Sequence, residues 1–156
     1  MSDGKKMVIV ASKGTLDWAY PPLILAATAA SMDYDVTLFY SFYGLEVLKK
    51  KRNLRISPLG DPAMPMLIPM PVIIQMLPGV ERLASWAMKR KMAAKGVASV
   101  ESLLEACQEM SVRIIACQMT VDLFEYQAKD FIDGVEFAGA AVFMQAAGEA
   151  DLTLFI

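Results

Sequence analysis

The chain has 156 residues, a formal net charge of −2 and no histidine. That balance, with a pI near 5.2, gives no electrostatic reason to expect nucleic acid or an acidic surface as partner. The missing histidine excludes Ser-His-Asp and Cys-His catalysis as well as histidine-held metal. A hydrophobic content of 56% and a mean hydropathy of +0.41 are high for a soluble monomer and imply a shared interface or membrane contact. The length fits one domain over 1–156, able to bury a core without disulfides.

In chain order, a compact apolar run over 6–12 reads as a first strand. Before it lies neither the long apolar stretch nor the small-residue cleavage site of a secretory signal, so a reducing cytoplasm is the expected compartment. The segment Ser12-Lys13-Gly14-Thr15-Leu16-Asp17 follows. Gly14 allows a tight backbone approach, Ser12 and Thr15 offer hydroxyls, and Lys13 supplies positive charge. Such a loop at a helix start can hold an anion, although it lacks the full glycine-rich nucleotide spacings, and Ser12 and Thr15 serve equally well as helix caps. A helix over 19–32 follows, with Pro21 and Pro22 expected in its first turn. Next come a strand over 34–40 and a helix over 44–51, the latter ending in the basic run Lys49-Lys50-Lys51-Arg52. A second basic run, Lys89-Arg90-Lys91, falls in a later helix; both runs read as solvated faces or as patches for an anionic partner.

The rhythm breaks over 57–78, where six prolines punctuate a Met-rich apolar stretch. About 14 apolar residues are too few for a membrane span, and the prolines oppose a regular one. An adaptable, Met-rich surface of this kind suits a subunit interface or a partner groove. Folding back on its own core and peripheral membrane contact are the alternatives. Helices over 79–95 and 99–110, a strand over 111–117, a short helix, a helix over 137–148 and a final strand over 151–156 complete the chain. Strands alternating with helices predict an α/β fold, a mostly parallel sheet flanked by helices in three layers, with right-handed crossovers.

Two cysteines ten positions apart match neither a Cys-x-x-Cys nor a zinc spacing. Cys107 recurs with Val100, Leu103, Leu104 and Met110 at helical spacing and reads as plain core. Cys117 differs, because the strand Val112-Arg113-Ile114-Ile115-Ala116 ends at it and a helix follows. Ligands collect outside the carboxyl ends of parallel strands, and the amides at a helix start favour a thiolate. Cys117 is therefore the candidate nucleophile, with Met119 and Thr120 beside it as substrate-binding candidates; a small hydrophobe at a strand end is the plainer reading. The Ser12–Asp17 loop would share its cleft if the first and third strand ends are neighbours, and Lys13 would then stabilise the anion. Asp17, Asp122, Asp130, Asp133 and Glu136 read as caps or solvated acids. Trp18, Tyr20 and Tyr43 line the cleft mouth or pack in the core.

Taken together, Ser12-Lys13-Gly14-Thr15-Leu16-Asp17 with Ala19-Tyr20-Pro21-Pro22, Phe42-Tyr43-Gly44-Leu45, Ala116-Cys117-Gln118-Met119-Thr120-Val121-Asp122 and Asp133-Gly134-Val135-Glu136-Phe137-Ala138-Gly139 resemble the DsrE-like family, in its peroxiredoxin-like, sulfurtransferase-associated branch. The resemblance spans essentially the whole chain. It implies a flavodoxin-like three-layer fold, a homo-oligomer and sulfur relay in a prokaryotic cytoplasm, beside sulfur-carrier and rhodanese-like proteins. It places the sulfur-bearing position on Cys117. Thr120-Val121-Asp122 stands where usual members read Ser-Met-Asp, and Glu125 where glycine is common. The expected function is a sulfurtransferase or sulfur carrier that holds sulfane sulfur as a Cys117 persulfide, chemistry that requires no metal and no redox cofactor. The alternatives are a non-catalytic oligomeric scaffold of a redox assembly and a sensor of small anions. Transfer requires the Cys117 sulfur to be exposed.

Overall fold

The computed structural model describes residues 4–57 and 77–156. The Met- and Pro-rich insertion therefore lies, apart from Ser57, Leu77 and Pro78, outside the described residues. In chain order the elements are β1 (Lys6–Ala11), α1 (Leu16–Ser31), β2 (Asp35–Tyr40), a 3₁₀ segment (Phe42–Leu48), α2 (Val80–Ala94), α3 (Val100–Glu109), β3 (Arg113–Cys117), α4 (Gln118–Leu123), a 3₁₀ turn (Ala128–Asp130), β4 (Glu136–Ala138), α5 (Ala140–Gly148) and β5 (Leu152–Phe155). The strands form one sheet in the order β4-β3-β2-β1-β5, every neighbouring pair parallel.

The apolar runs of β1, β2 and β3 are continuous because all but the first residue of each is buried, as a strand covered on both faces demands. On one face Ile9, Leu38 and Ile114 meet Leu23 and Ala26 of α1 and Leu104 and Cys107 of α3. On the other, Val10, Phe39, Ile115 and Cys117 meet Ala138 and, from α5, Val142 and Phe143. The two outer layers are unequal: α5 buries no residue fully. Strand β5, at one end of the sheet, leaves Leu152 and Phe155 exposed.

Three expectations need correction. Helix α1 starts at Leu16 rather than at 19, so Pro21 and Pro22 sit past its first turn. The Leu16 amide is anchored by the Arg55 carbonyl at 2.7 Å, and burial of Leu16, Ala19 and Leu23 offsets the hydrogen bonds that the prolines cannot donate. The helix expected over 44–51 is a 3₁₀ segment ending at Leu48, its tighter winding bringing Leu45, Val47 and Leu48 all into the core. The helix expected over 137–148 is two elements: β4 pairs with β3 through Ala116↔Phe137 and Cys117↔Ala138, and α5 begins only after Gly139.

Tyr40 is fully buried, and its hydroxyl has no hydrogen-bond partner among the described residues. Burial pushes the phenol far above its ordinary pKa, so it stays neutral. An unsatisfied buried hydroxyl costs about 1–3 kcal/mol, whereas an apolar group of the same shape does not. Tyr40→Phe is therefore expected to be neutral or to stabilise the fold by up to about 1 kcal/mol, read from the urea midpoint at unchanged slope; a clear loss would show that the hydroxyl is satisfied in solution.

Candidate functional site

The chain leaves β3 and β4 towards opposite faces of the sheet. After β3, Val121 of α4 and then Phe131 pack into the larger cluster with Ala116 and Tyr40. After β4, Val142 and Phe143 of α5 pack into the smaller cluster on the other side. Adjacent parallel strands whose connections diverge in this way open a crevice at their carboxyl ends, where α/β sheets collect ligands. Cys117 and its partner Ala138 are the last register pair of those two strands. A Cβ added to Gly139, the next residue, would meet nothing within 4 Å, so there is free space at the turn into α5.

Cys117 occupies the N-cap position of α4 with φ −65° and ψ 113°, and its sulfur caps none of the first-turn amides. Contrary to the exposure that transfer requires, the residue is only 4% accessible. The reason is the strand absent from the sequence reading: β4 closes beside β3, and α5 lays Val142 and Phe143 over the cluster holding Cys117. α4 has six residues, which limits the dipole it can add.

The neighbours predicted around Cys117 part company. Met119 is 59% exposed. Thr120 is fully buried; its Oγ1 accepts from the Phe42 amide at 3.3 Å and lies 3.4 Å from Ser41 Oγ. It thereby ties α4 to the exit of β2, where Phe42 adopts a positive φ of 47°. That left-handed conformation costs a bulky residue about 1–2 kcal/mol, and the Thr120 bond helps hold it. Phe42, Tyr43 and Leu123 join Met119 as exposed apolar groups, with Tyr43 stacked on Phe124 at 6.0 Å between ring centroids.

The Ser12–Asp17 loop does not share this crevice. β2 stands between β1 and β3, and the Lys13 ammonium sits 3.3 Å from the centroid of the Trp18 ring instead of beside Cys117. The loop's polar groups are engaged internally: the Ser12 amide donates to the Ile156 carbonyl at 3.0 Å, and Thr15 Oγ1 lies 3.2 Å from Ser57 Oγ. The Asp17 carboxylate accepts from the Ser57 amide at 2.8 Å and from its hydroxyl at 2.6 Å. Burial works to raise the Asp17 pKa, but these hydrogen bonds, with Thr15, bring it below the ordinary value. A fixed carboxylate thus fills the position an anionic ligand would take at the start of α1. Gly14 does serve a close approach, to the Tyr43 carbonyl rather than to a ligand.

Cys107 is fully buried, its Sγ directed at the Leu23 carbonyl at 3.8 Å. Burial pushes its thiol up to about 11, which keeps it protonated and inert near neutral pH.

The model of the DsrE/DsrF/DrsH-like family matches residues 3–155. The chain belongs to that family. Among curated relatives it is 56% identical to the sulfur carrier protein DsrE2 of Allochromatium vinosum, the match covering 97% of this chain and 98% of that one. It is 29% identical to the uncharacterized protein YrkE of Bacillus subtilis, over 97% of each. Among solved structures, the ychN protein of E. coli superposes with a TM-score of 0.64 at 17% identity, covering 97% of this chain and 99% of that one. This last likeness is one of fold. In this chain's sheet Cys117 stands at the carboxyl end of β3 beside β4, and Ser12–Asp17 lies two strands away. Among the described residues, no helix is long and apolar enough to cross a membrane.

Proposed function

We propose that this chain is a sulfur carrier that takes sulfane sulfur on Cys117 as a persulfide and relays it to the thiol of a partner protein. The observation that carries the reading is the place of Cys117, at the carboxyl end of β3 in register with Ala138 of β4. The 56% identity to a protein named a sulfur carrier, over nearly the full length of both, supports it. In the first step the Cys117 thiol gives its proton to solvent. The thiolate then attacks the terminal sulfur of a donor R–S–S⁻; a new S–S bond forms on Cys117 as the donor's S–S bond breaks and R–S⁻ leaves. In the second, an acceptor thiolate attacks the terminal sulfur of Cys117–S–S⁻ and Cys117 departs as a thiolate. Both steps move sulfur without net oxidation, so the chain needs no redox partner for them.

Sulfur-carrier and rhodanese-like proteins in the cytoplasm are the partners this chemistry suits, and a homo-oligomer is the state that the apolar surface suits. Phe155 is 77% exposed on an edge strand and Met144 is 64% exposed on α5. Large apolar groups exposed in this way call for cover. The 4% exposure of Cys117 favours a second reading, a scaffold subunit that carries no sulfur. One experiment separates them. After incubation with polysulfide, intact mass is expected to rise by about 32 Da for each sulfur added. The gain should vanish in Cys117→Ala, persist in Cys107→Ala and be reversed by a small thiol. Wild-type protein that takes up no sulfur would leave the scaffold.

A further inference from the structure

On the sheet face opposite Cys117, a chamber of about 160 Å³ opens between the start of α1, residues Arg52 and Leu54, the end of α2 and the start of α3. Its wall is mostly apolar, with Leu16, Leu54, Met92 and Val100 among the lining residues. Against that wall lies one charged group that the fold leaves incompletely bonded. The Arg52 side chain is only 11% exposed. Its Nε donates to the Lys49 carbonyl at 2.9 Å, but its Nη1 is buried without a hydrogen-bond partner among the described residues. The nearest carboxylate oxygen, on Glu101, stands 3.6 Å from Nη1, too far for a hydrogen bond, and the Glu101 side chain is 60% exposed and free to swing outward. A buried guanidinium with an empty donor is a costly arrangement that native proteins resolve with an ordered water, an ion or a ligand.

We propose that this chamber is a binding site for a small organic monoanion, a short-chain carboxylate whose two oxygens take the Arg52 guanidinium and whose hydrocarbon tail lies on the apolar wall. Three features select that class. Arg52 and Lys89 against Glu101 leave one positive charge, which a monoanion neutralises. The planar guanidinium fork matches a carboxylate, and the apolar wall gives a sulfate or phosphate nothing to exchange for its water. At about 30 Å³ for each water-sized group, the chamber has room for about five or six heavy atoms, the size of a four-carbon acid. The site is independent of the sulfur-carrier reading: its apolar wall, Leu16, Leu54, Met92 and Val100, belongs to the larger core cluster, whereas Cys117 belongs to the smaller one.

The test is a titration of the full chain with butyrate, followed by amide NMR. Saturating shifts are expected at Val97, Ser99 and Val100, with a dissociation constant of about 1 mM for so small a ligand. Arg52→Met, which keeps an apolar stem, should weaken binding about tenfold or more by removing the charged fork. Ala93→Phe, on the exposed rim of the chamber, should abolish binding by filling the space without touching the charge, and it stands as the test if Arg52→Met does not fold. n-Butanol, with the same four-carbon chain and no charge, should bind at least about tenfold more weakly. Any of three results overturns the proposal: no saturation with butyrate, an affinity unchanged in the folded variants, or sulfate binding equally well at the same amides.

Discussion

Phe143→Ala is expected to raise the alkylation rate of Cys117 by about tenfold or more, while Cys107 stays unmodified. Cys117 is closed off by a thin layer. It shares the smaller cluster with Val10, Phe39 and Ile115 under Ala138, Val142 and Phe143, and the helix that supplies the last two buries no residue fully. Phe143 also anchors that helix, its ring 5.2 Å from that of Phe39. A buried thiol reacts through the fraction of molecules in which its cover is open, so the rate follows the stability of the α5 docking. Truncating a half-buried phenylalanine costs about 2 kcal/mol, below the range for a fully buried one, and 1.4 kcal/mol is already a tenfold change in an opening equilibrium. Cys107 supplies the internal control, because burial holds its thiol up at about 11 where α3 packs on α1, elements the substitution leaves alone. Peptide mass spectrometry after timed iodoacetamide treatment reads both cysteines at once. A Cys117 rate unchanged in Phe143→Ala would mean that donors reach the sulfur by another route, along α4 past Met119.

The sequence made β1, β2 and β3 legible because each is a continuous apolar run, and a strand buried on both faces writes itself that way. Cys117 was legible as a strand terminus for the same reason. What could not be read was β4, only three residues long and none of them fully buried: Glu136-Phe137-Ala138 has too few positions for a period of two to show. Missing it merged the strand with α5 and hid two facts together, that Cys117 has a register partner and that its sulfur is covered. The loop after β1 failed differently. Its residue types fit an anion site, but strand order is a property of long-range pairing, and β2 between β1 and β3 removes Lys13 from Cys117 without leaving a trace in local composition. Arg52 was read as part of a basic run beside Lys49, Lys50 and Lys51. Only packing distinguishes it: its side chain is turned inward while Lys50 remains exposed and pairs with Asp133 at 3.0 Å.

Gly44→Ala should cost more stability than any surface change near the site, about 3 kcal/mol or more, and should loosen α4 as it does so. Two glycines lock the loops after β1 and β2 backbone to backbone: a Cβ on Gly44 would collide with the Ala11 carbonyl, and one on Gly14 with the Tyr43 carbonyl. The same junction carries the Ser41 amide to the Ala11 carbonyl at 3.0 Å and the Gly44 amide to the Ser12 carbonyl at 3.2 Å. Overpacking a core side chain costs about 1–3 kcal/mol because neighbours shift rotamers; here the neighbour is main chain in a sheet, with no rotamer to change. The strain has one exit, displacement of the Ser41–Phe42 turn, and that turn holds Thr120. Urea denaturation of Gly44→Ala is expected to show the loss. In the fraction still folded, hydrogen exchange should quicken across Gln118–Leu123 while Val100–Glu109, which packs on α1, keeps its protection. A midpoint shift below about 1 kcal/mol would show that the junction yields, since surface substitutions usually stay within about 0.5 kcal/mol. Equal quickening in both helices would instead mark a global loss, and the coupling from Gly44 through Thr120 to the Cys117 crevice would then have no support.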